Sequence, residues 1–98
     1  MSSPGSSTVT TPRFDAGRPW RLHPQVALRD ESFGALAYHY GNRRLIFLRS
    51  RTLVELVTSL ERFESAGAAL DATIEPDQRG SYERALARLA ASEVIDAR

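Results

Sequence analysis

Two histidines, a set of arginines and scattered serines are the side chains of this chain that could do chemistry. His23 and His39 are the only histidines, and there is no cysteine. A metal site needs further ligands at short spacing, and no acidic pair flanks either histidine in that way. The serines near the N-terminus and at predicted helix ends are better explained by backbone capping than by nucleophilic attack. We therefore expect no catalytic residue, no metal site and no cofactor, and we expect that the protein is not an enzyme.

The arginines form a more informative pattern. All thirteen basic residues are arginine, and the net charge is +5 over residues 1–51 and −4 over residues 52–98. This asymmetry favours an anionic partner but is far below the charge of most nucleic-acid binders. The arginines form two clusters. One, Arg43, Arg44, Arg49 and Arg51, surrounds the apolar run Leu45–Leu48, and the other, Arg84 and Arg88, spans one helical turn.

Three strand-like segments must position the first cluster. They cover residues 26–29, 33–40 and 43–48, and the last two are separated by Gly41-Asn42, which predicts a type II′ hairpin turn. The turn fixes which residues stand opposite each other: Tyr40 and Arg43, Tyr38 and Leu45, Leu36 and Phe47, and, on the other face, His39 and Arg44, Ala37 and Ile46, Ala35 and Leu48.

The hydrophobic period then changes to that of a helix. Thr52 followed by Glu55 predicts a capping box at the start of a helix of about 12 residues. After a break at Gly67, a short second helix is predicted over residues 68–73. A third is expected from about residue 77 or 78 to residue 92, with a buried stripe formed by Tyr82, Leu86, Leu89 and Ala90.

These elements predict one α+β domain over residues 13–98, in which a three-stranded antiparallel sheet precedes three helices, a variant of the winged helix-turn-helix. Residues 1–12 lack charge and period, which predicts a disordered tail. Trp20 and Leu22 lie in an extended arm, and Val94 and Ile95 are expected to pack back on the core. No apolar run reaches the ~18 residues that span a membrane, and no signal peptide is evident, so we expect a cytoplasmic protein.

The third strand is the feature that indicates a function. As the last of three consecutive strands it should lie at a sheet edge, whose unpaired N–H and C=O groups invite a strand from another chain. Its flanking arginines favour an acidic peptide with alternating aliphatic residues, and Arg84 and Arg88 could flank the same groove. The alternative, that the arginines only deter self-association, stays open at this point.

Several segments resemble the mycofactocin peptide chaperone (MftB) family. The resemblance rests first on residues 18–29, RPWRLHPQVALR, a long and compositionally unusual run. It continues through FGAL at residues 33–36, YHYG at 38–41 and YERAL at 82–86. It covers about residues 13–95, although the stretch from residue 63 to residue 79 matches less well. The family is similar to PqqD and to other domains that recognise ribosomally made precursor peptides.

The resemblance implies a non-catalytic protein that holds the leader of a short acidic precursor peptide as an added strand. It implies that the peptide is then presented to a radical S-adenosylmethionine maturase, to which the iron–sulfur cluster and S-adenosylmethionine belong. The leader would pair with strand three beside helix three, Tyr82, Ala85 and Leu89 could line the groove, and Arg84 and Arg88 would meet carboxylates. The implied peptide-binding residues are Arg43, Arg44, Leu45, Ile46, Phe47, Leu48, Arg49, Tyr82, Arg84, Ala85, Arg88 and Leu89.

Two other functions remain open on the sequence. One is a winged-helix DNA-binding regulator, which the acidic residues of the third helix make less attractive; we expect no nucleic-acid or membrane partner. The other is a homodimerisation module in which two copies pair through the same sheet edge.

Overall fold

The computed structural model describes residues 13–98, so the tail expected over residues 1–12 lies outside the described residues. The strands are β1 (Trp20–Leu22), β2 (Val26–Glu31), β3 (Gly34–His39), β4 (Leu45–Leu48) and β5 (Ile95–Ala97). The helices are α1 (Arg51–Ser59), α2 (Ala66–Thr73) and α3 (Arg79–Ala91), with 3₁₀ turns at Leu60–Arg62 and Pro76–Gln78. The predicted α+β class, with the sheet before three helices, is confirmed.

The main sheet is antiparallel, with strand order β2-β3-β4. The predicted register of the second hairpin is confirmed, since Tyr38 lies opposite Leu45 and Ala35 lies opposite Leu48. Side chains alternate between the two faces of a strand. One face, which includes Ala35, Ala37 and Leu48, is therefore buried against the helices. Among residues 13–98, no strand pairs with the outer side of β4, so the predicted sheet edge is confirmed there.

The predicted type II′ turn is wrong. Residues 40–43 form a four-residue loop, in which Arg43 has a positive φ of 64° and Gly41 does not. The side chain of His39 organises this loop, because its Nδ1 accepts hydrogen bonds from the backbone N–H of Gly41 at 3.0 Å and of Asn42 at 3.1 Å. The predicted pair of Tyr40 and Arg43 is therefore not formed, and the Tyr40 N–H donates to the Gln25 carbonyl instead.

The capping box predicted at Thr52 is also wrong. The N-cap of α1 is Ser50, whose Oγ accepts a hydrogen bond from the Leu53 N–H at 3.1 Å. Thr52 lies inside the first turn. The expected length of about 12 residues is nevertheless reached, because the 3₁₀ turn at Leu60–Arg62 continues α1.

The second helix begins earlier than predicted. Ser65 caps it by accepting a hydrogen bond from the Ala68 N–H at 3.0 Å. Gly67 is buried within the first turn of this helix and does not lie in a break before it. A side chain at Gly67 would press on the carbonyl of Ala16, whose oxygen accepts the Gly67 N–H at 2.7 Å. The third helix agrees with its predicted span, after a 3₁₀ turn that begins at Pro76.

The arm and the C-terminal segment pair with each other, an arrangement that the sequence pattern does not predict. Trp20 lies opposite Ala97 and Leu22 lies opposite Ile95 in a separate two-stranded sheet of β1 and β5. Trp20 is 1% exposed, and its indole N–H donates to the carbonyl of Asp15 at 3.0 Å. The expectation that Val94 and Ile95 pack on the core is confirmed, since both are buried.

Candidate functional site

The open edge of β4 exposes the backbone of two residues. In antiparallel pairs, residues that bond to the neighbouring strand alternate with residues that do not. The His39 N–H donates to the Arg44 carbonyl at 3.0 Å, which makes that pair a hydrogen-bonded one. The alternation then directs the N–H and C=O groups of Ile46 and Leu48 toward β3. The same groups of Leu45 and Phe47 point away from the sheet, toward any added strand.

A groove of about 240 Å³ runs beside this edge, between β4 and α3. Leu89 is nearly buried at its floor, Ala85 is half-buried, and Ile46 is half-buried on the strand side. The groove brings together the central part of β4 and the middle of α3. Its lining residues are Ile46, Phe47, Leu48, Leu53, Ala85, Arg88, Leu89 and Ser92.

Two lining residues, Leu53 and Ser92, were not predicted. Leu53 lies near the start of α1, where it packs against the core and also borders the groove. Ser92 follows α3 directly as its C-cap. The phase of a helix stripe shows which residues lie together, but not which of them border a groove formed with a strand far along the chain.

The arginines expected at the site are divided by the structure. Arg88 lines the groove, whereas Arg84 lies in a different depression together with Phe14, Gly80, Glu83 and Ala87. Arg43 and Arg44 are exposed at the loop before β4. Arg49 is exposed after β4, with its guanidinium 5.4 Å from the centre of the Phe47 ring. Within residues 13–98, these edge arginines and Arg88 have no ion-pair partner.

Tyr82 does not line the groove but contacts the segment that leads from β4 to α1. It is half-buried, and its hydroxyl is 3.2 Å from the Oγ of Ser50, the residue that caps α1. This hydrogen bond joins α3 to the segment between β4 and α1. Tyr82 thereby helps to set the distance between the strand and the helix that form the groove.

Arg79, at the start of α3, contrasts with Arg88. Its guanidinium donates to Asp71 Oδ1 at 2.7 Å and to Glu83 Oε1 at 2.9 Å. The hydrogen bond to Asp71 is the main cause that raises the pKa of Arg79, although desolvation opposes it. Arg79 is therefore occupied in holding α2 to α3.

His23, His39 and Glu93 form a cluster whose possible ligand atoms all lie within 4.8 Å of one another. The hydrogen bonds argue against a metal there. Nδ1 of His23 accepts from the Gln25 N–H at 3.0 Å, and Nδ1 of His39 accepts from two backbone amides. A neutral imidazole that accepts at Nδ1 carries its proton at Nε2, so neither Nε2 has a lone pair for a metal. We assign the cluster a structural role at the hairpin loop.

Within residues 13–98, no helix is long and apolar enough to cross a membrane.

Comparison with known proteins gives a consistent result. The sequence profile of the Peptide chaperone MftB family matches residues 19–96. A protein named Peptide chaperone MftB from Mycolicibacterium smegmatis is 48% identical over 96 residues, which cover 97% of this chain and 91% of that protein. Proteins of the same name are 39% identical in Mycobacterium ulcerans, over 97% of this chain and 88% of that protein, and 43% identical in Mycobacterium tuberculosis, over 84% and 76%. No solved structure matches the chain.

The extent of these matches confirms the resemblance to this family. The profile covers nearly all of the described residues, including β1, β4, α3 and all but the last residue of β5. The description of the family as a chaperone confirms the expectation that the protein is not an enzyme. The chain belongs to the MftB family of peptide chaperones.

Proposed function

We propose that this protein binds the leader of a short acidic precursor peptide of mycofactocin biosynthesis as a fourth strand on β4. It then presents the peptide to a radical S-adenosylmethionine maturase in the cytoplasm. The single observation that supports this mechanism best is the pairing of an open strand edge with an apolar groove directly beside it.

The backbone of the edge supplies only part of the affinity. The outward N–H and C=O groups of Leu45 and Phe47 offer up to four hydrogen bonds, each worth about 0.5–1.5 kcal/mol. Ordering a flexible peptide costs about 2–5 kcal/mol or more, which cancels most of that gain. Binding therefore needs side chains that enter the groove, where burying one aliphatic side chain contributes about 1.5–3 kcal/mol.

The groove indicates which peptide side chains these are. In an added strand, alternate side chains point to the same face. Two aliphatic residues separated by one position would therefore both enter the groove, over Leu89 and Ala85. The residue between them would point to the opposite face of the sheet, beside Phe47.

The charges around the site indicate an acidic peptide. Arg43 and Arg44 lie at one end of β4 and Arg49 at the other, so an added strand would run between positive charges at both ends. Arg88 lies within the groove itself. Carboxylates of the peptide would meet Arg44, at one end of β4, and Arg88, within the groove.

The same charges disfavour pairing of two copies through β4. A symmetric antiparallel pair of β4 strands centred on Ile46, in which the outward groups of Leu45 bond to those of Phe47, would bring Arg43 of one copy to Arg49 of the other, twice. Like charges directly opposite in a sheet are destabilising. The edge is thus better suited to an acidic peptide than to a second copy of this chain.

Titration of the ¹⁵N-labelled protein with the acidic precursor peptide, followed by NMR, tests the proposal. We expect the largest chemical-shift changes at residues 45–48 and 85–92. We also expect protection of the Leu45 and Phe47 amides from hydrogen exchange in the complex. The absence of binding, or changes confined to β1, β5 and α2, would refute the site.

A further inference from the structure

The three-stranded sheet has a second face, away from the helices, that is apolar and uncovered by residues 13–98. We call this surface the outer face. Its residues come from the middle of the sheet and from the two loops that border it, and they are Phe33, Leu36, Tyr38, Tyr40, Leu45 and Phe47.

The large side chains of the outer face are unusually exposed. Phe33 is 40% exposed, Tyr40 62%, Leu45 52% and Phe47 49%. They are also ordered against one another, since the rings of Phe33 and Phe47 stack with centroids 5.6 Å apart and those of Tyr38 and Tyr40 meet edge to face at 5.1 Å. With about 150–250 Å² for a whole aromatic side chain, the exposed parts of Phe33, Tyr40, Leu45 and Phe47 together present roughly 400 Å² of mostly apolar surface. The largest apolar patch on a typical monomer has about this area and is often functional.

We propose that the outer face docks the enzyme that modifies the bound peptide, an inference that rests on the proposed function. The occupant is a folded protein whose contact surface has an apolar centre and acidic residues along one side. The distribution of charge, the position of the peptide and the area of the face each support this assignment.

The charge around the outer face lies on one side. Along β4, Arg43 and Arg49 have no ion-pair partner among residues 13–98, and the Arg49 guanidinium lies 5.4 Å from the centre of the Phe47 ring, which belongs to the outer face. Along β2, the guanidinium of Arg29 is 3.0 Å from a carboxylate oxygen of Glu31, so that margin is balanced. A partner with carboxylates on one side would therefore dock in a single orientation, with those carboxylates over β4.

The outer face is continuous with the place of the bound peptide. A strand added to β4 lies beside Leu45 and Phe47, whose side chains belong to the outer face. The peptide side chains that do not enter the groove would point outward and extend this face. An enzyme docked there would contact chaperone and peptide together, so peptide binding would strengthen enzyme binding.

The area of the face favours a transient partner over a permanent dimer. A specific interface of ordinary size buries about 800 Å² per partner, and permanent homodimers bury more. The roughly 400 Å² of the outer face can form the apolar centre of an ordinary interface, with the polar margins completing it.

Charge substitutions on the outer face, outside the groove, test the proposal. Phe33→Asp, Tyr40→Asp and the double variant place carboxylates on the face at exposed positions. Ala72→Asp adds the same charge at an exposed position of α2 and serves as the matched control. For each variant, calorimetry measures binding of the precursor peptide, and analytical sedimentation measures binding of the peptide-loaded chaperone to the purified maturase.

We expect the double variant to bind the maturase at least tenfold more weakly than the wild type, while its affinity for the peptide changes less than twofold. The control should match the wild type in both measurements. Unchanged maturase binding by the double variant would overturn the inference. Two other results would also overturn it. One is a concentration-dependent dimer of the wild type that the double variant does not form. The other is binding of the wild type to vesicles of phosphatidylglycerol and phosphatidylcholine that the double variant lacks. A wild-type protein that fails to bind the peptide would instead refute the proposed function.

Discussion

Ile46 and Phe47 are neighbours in β4, yet their backbone amides face opposite sides of the strand. The hydrogen bond from His39 to Arg44 sets the alternation, so the Ile46 amide points to β3 and the Phe47 amide points to the open edge. Phe47→Pro therefore tests strand addition, whereas Ile46→Pro removes a hydrogen bond within the sheet.

We predict that Phe47→Pro weakens peptide binding at least fivefold more than Phe47→Ala. Both variants lack the ring, but only proline lacks the N–H that an added strand would use. Leaving the peptide carbonyl unpaired costs about 1–3 kcal/mol. Calorimetry measures the two affinities, and equal losses in the two variants would contradict strand addition at this edge.

The neighbouring substitution serves as a contrast. Ile46→Pro removes an amide that bonds to β3, so we expect it to destabilise the folded protein by about 1–3 kcal/mol. Chemical denaturation measures this loss, and Phe47→Pro should show a clearly smaller one. If Ile46→Pro were the less destabilising of the two, the assignment of outward amides would be reversed.

The two arginines of α3 should differ in their effect on binding. Arg88→Gln is expected to weaken binding of the acidic peptide about threefold to fivefold at low salt, because an exposed ion pair contributes about 0.2–1 kcal/mol. The difference should shrink in 0.5 M salt, where screening is stronger. Titrations at both salt concentrations measure it.

Arg84→Gln is the matched control for that substitution. It removes the same charge from the same helix, but at a position that faces Phe14 instead of the groove. We expect its affinity to remain within twofold of the wild type. Equal losses in the two variants would indicate a general charge effect and not a contact with Arg88.

Gly34 holds the end of β4 in place, and Gly34→Ala should be strongly destabilising. Its φ is +147°, and a side chain there would collide with the carbonyl oxygen of Leu48. We expect a loss of roughly 3 kcal/mol in the free energy of unfolding, from strain together with displacement of the strand. Urea denaturation measures the change.

Gly80→Ala, in the first turn of α3, is the control, because here a glycine can be replaced by alanine without a steric clash. Its new Cβ would meet nothing closer than the Arg84 Nη1 atom at 3.6 Å. We expect it to stabilise the protein by about 0.4–1 kcal/mol, because alanine restricts the unfolded chain. Equal stability of the Gly34→Ala and Gly80→Ala variants would contradict the close approach of Gly34 to β4.

The hairpin shows what the sequence can and cannot specify. A two-residue loop at Gly41-Asn42 and the observed loop over residues 40–43 share the same centre, so either one gives the same strand register. The choice between them depends on the imidazole of His39, whose Nδ1 binds two loop amides. No propensity of the loop residues themselves indicates that contact.

Helix positions show the same limit. Ser50 and Thr52 both carry a hydroxyl that could cap the start of α1. Ser50 is the cap because β4 ends shortly before it, at Leu48. Arg84 and Arg88 are four residues, or one helical turn, apart. The rotation of α3 about its axis relative to the sheet nevertheless places them in different depressions. That rotation depends on core packing between segments far apart in the chain.

The pairing of β1 with β5 has a consequence for biosynthesis. The strand of Trp20 pairs only with the segment around Ala97, and the Arg98 N–H adds a hydrogen bond to the Pro19 carbonyl at 3.1 Å. Contacts this distant in sequence form slowly, because closing the long intervening segment costs entropy before the pairing contributes. A chain synthesised only as far as residue 94 would therefore lack the two-stranded sheet, whereas β2, β3 and β4 would already be complete.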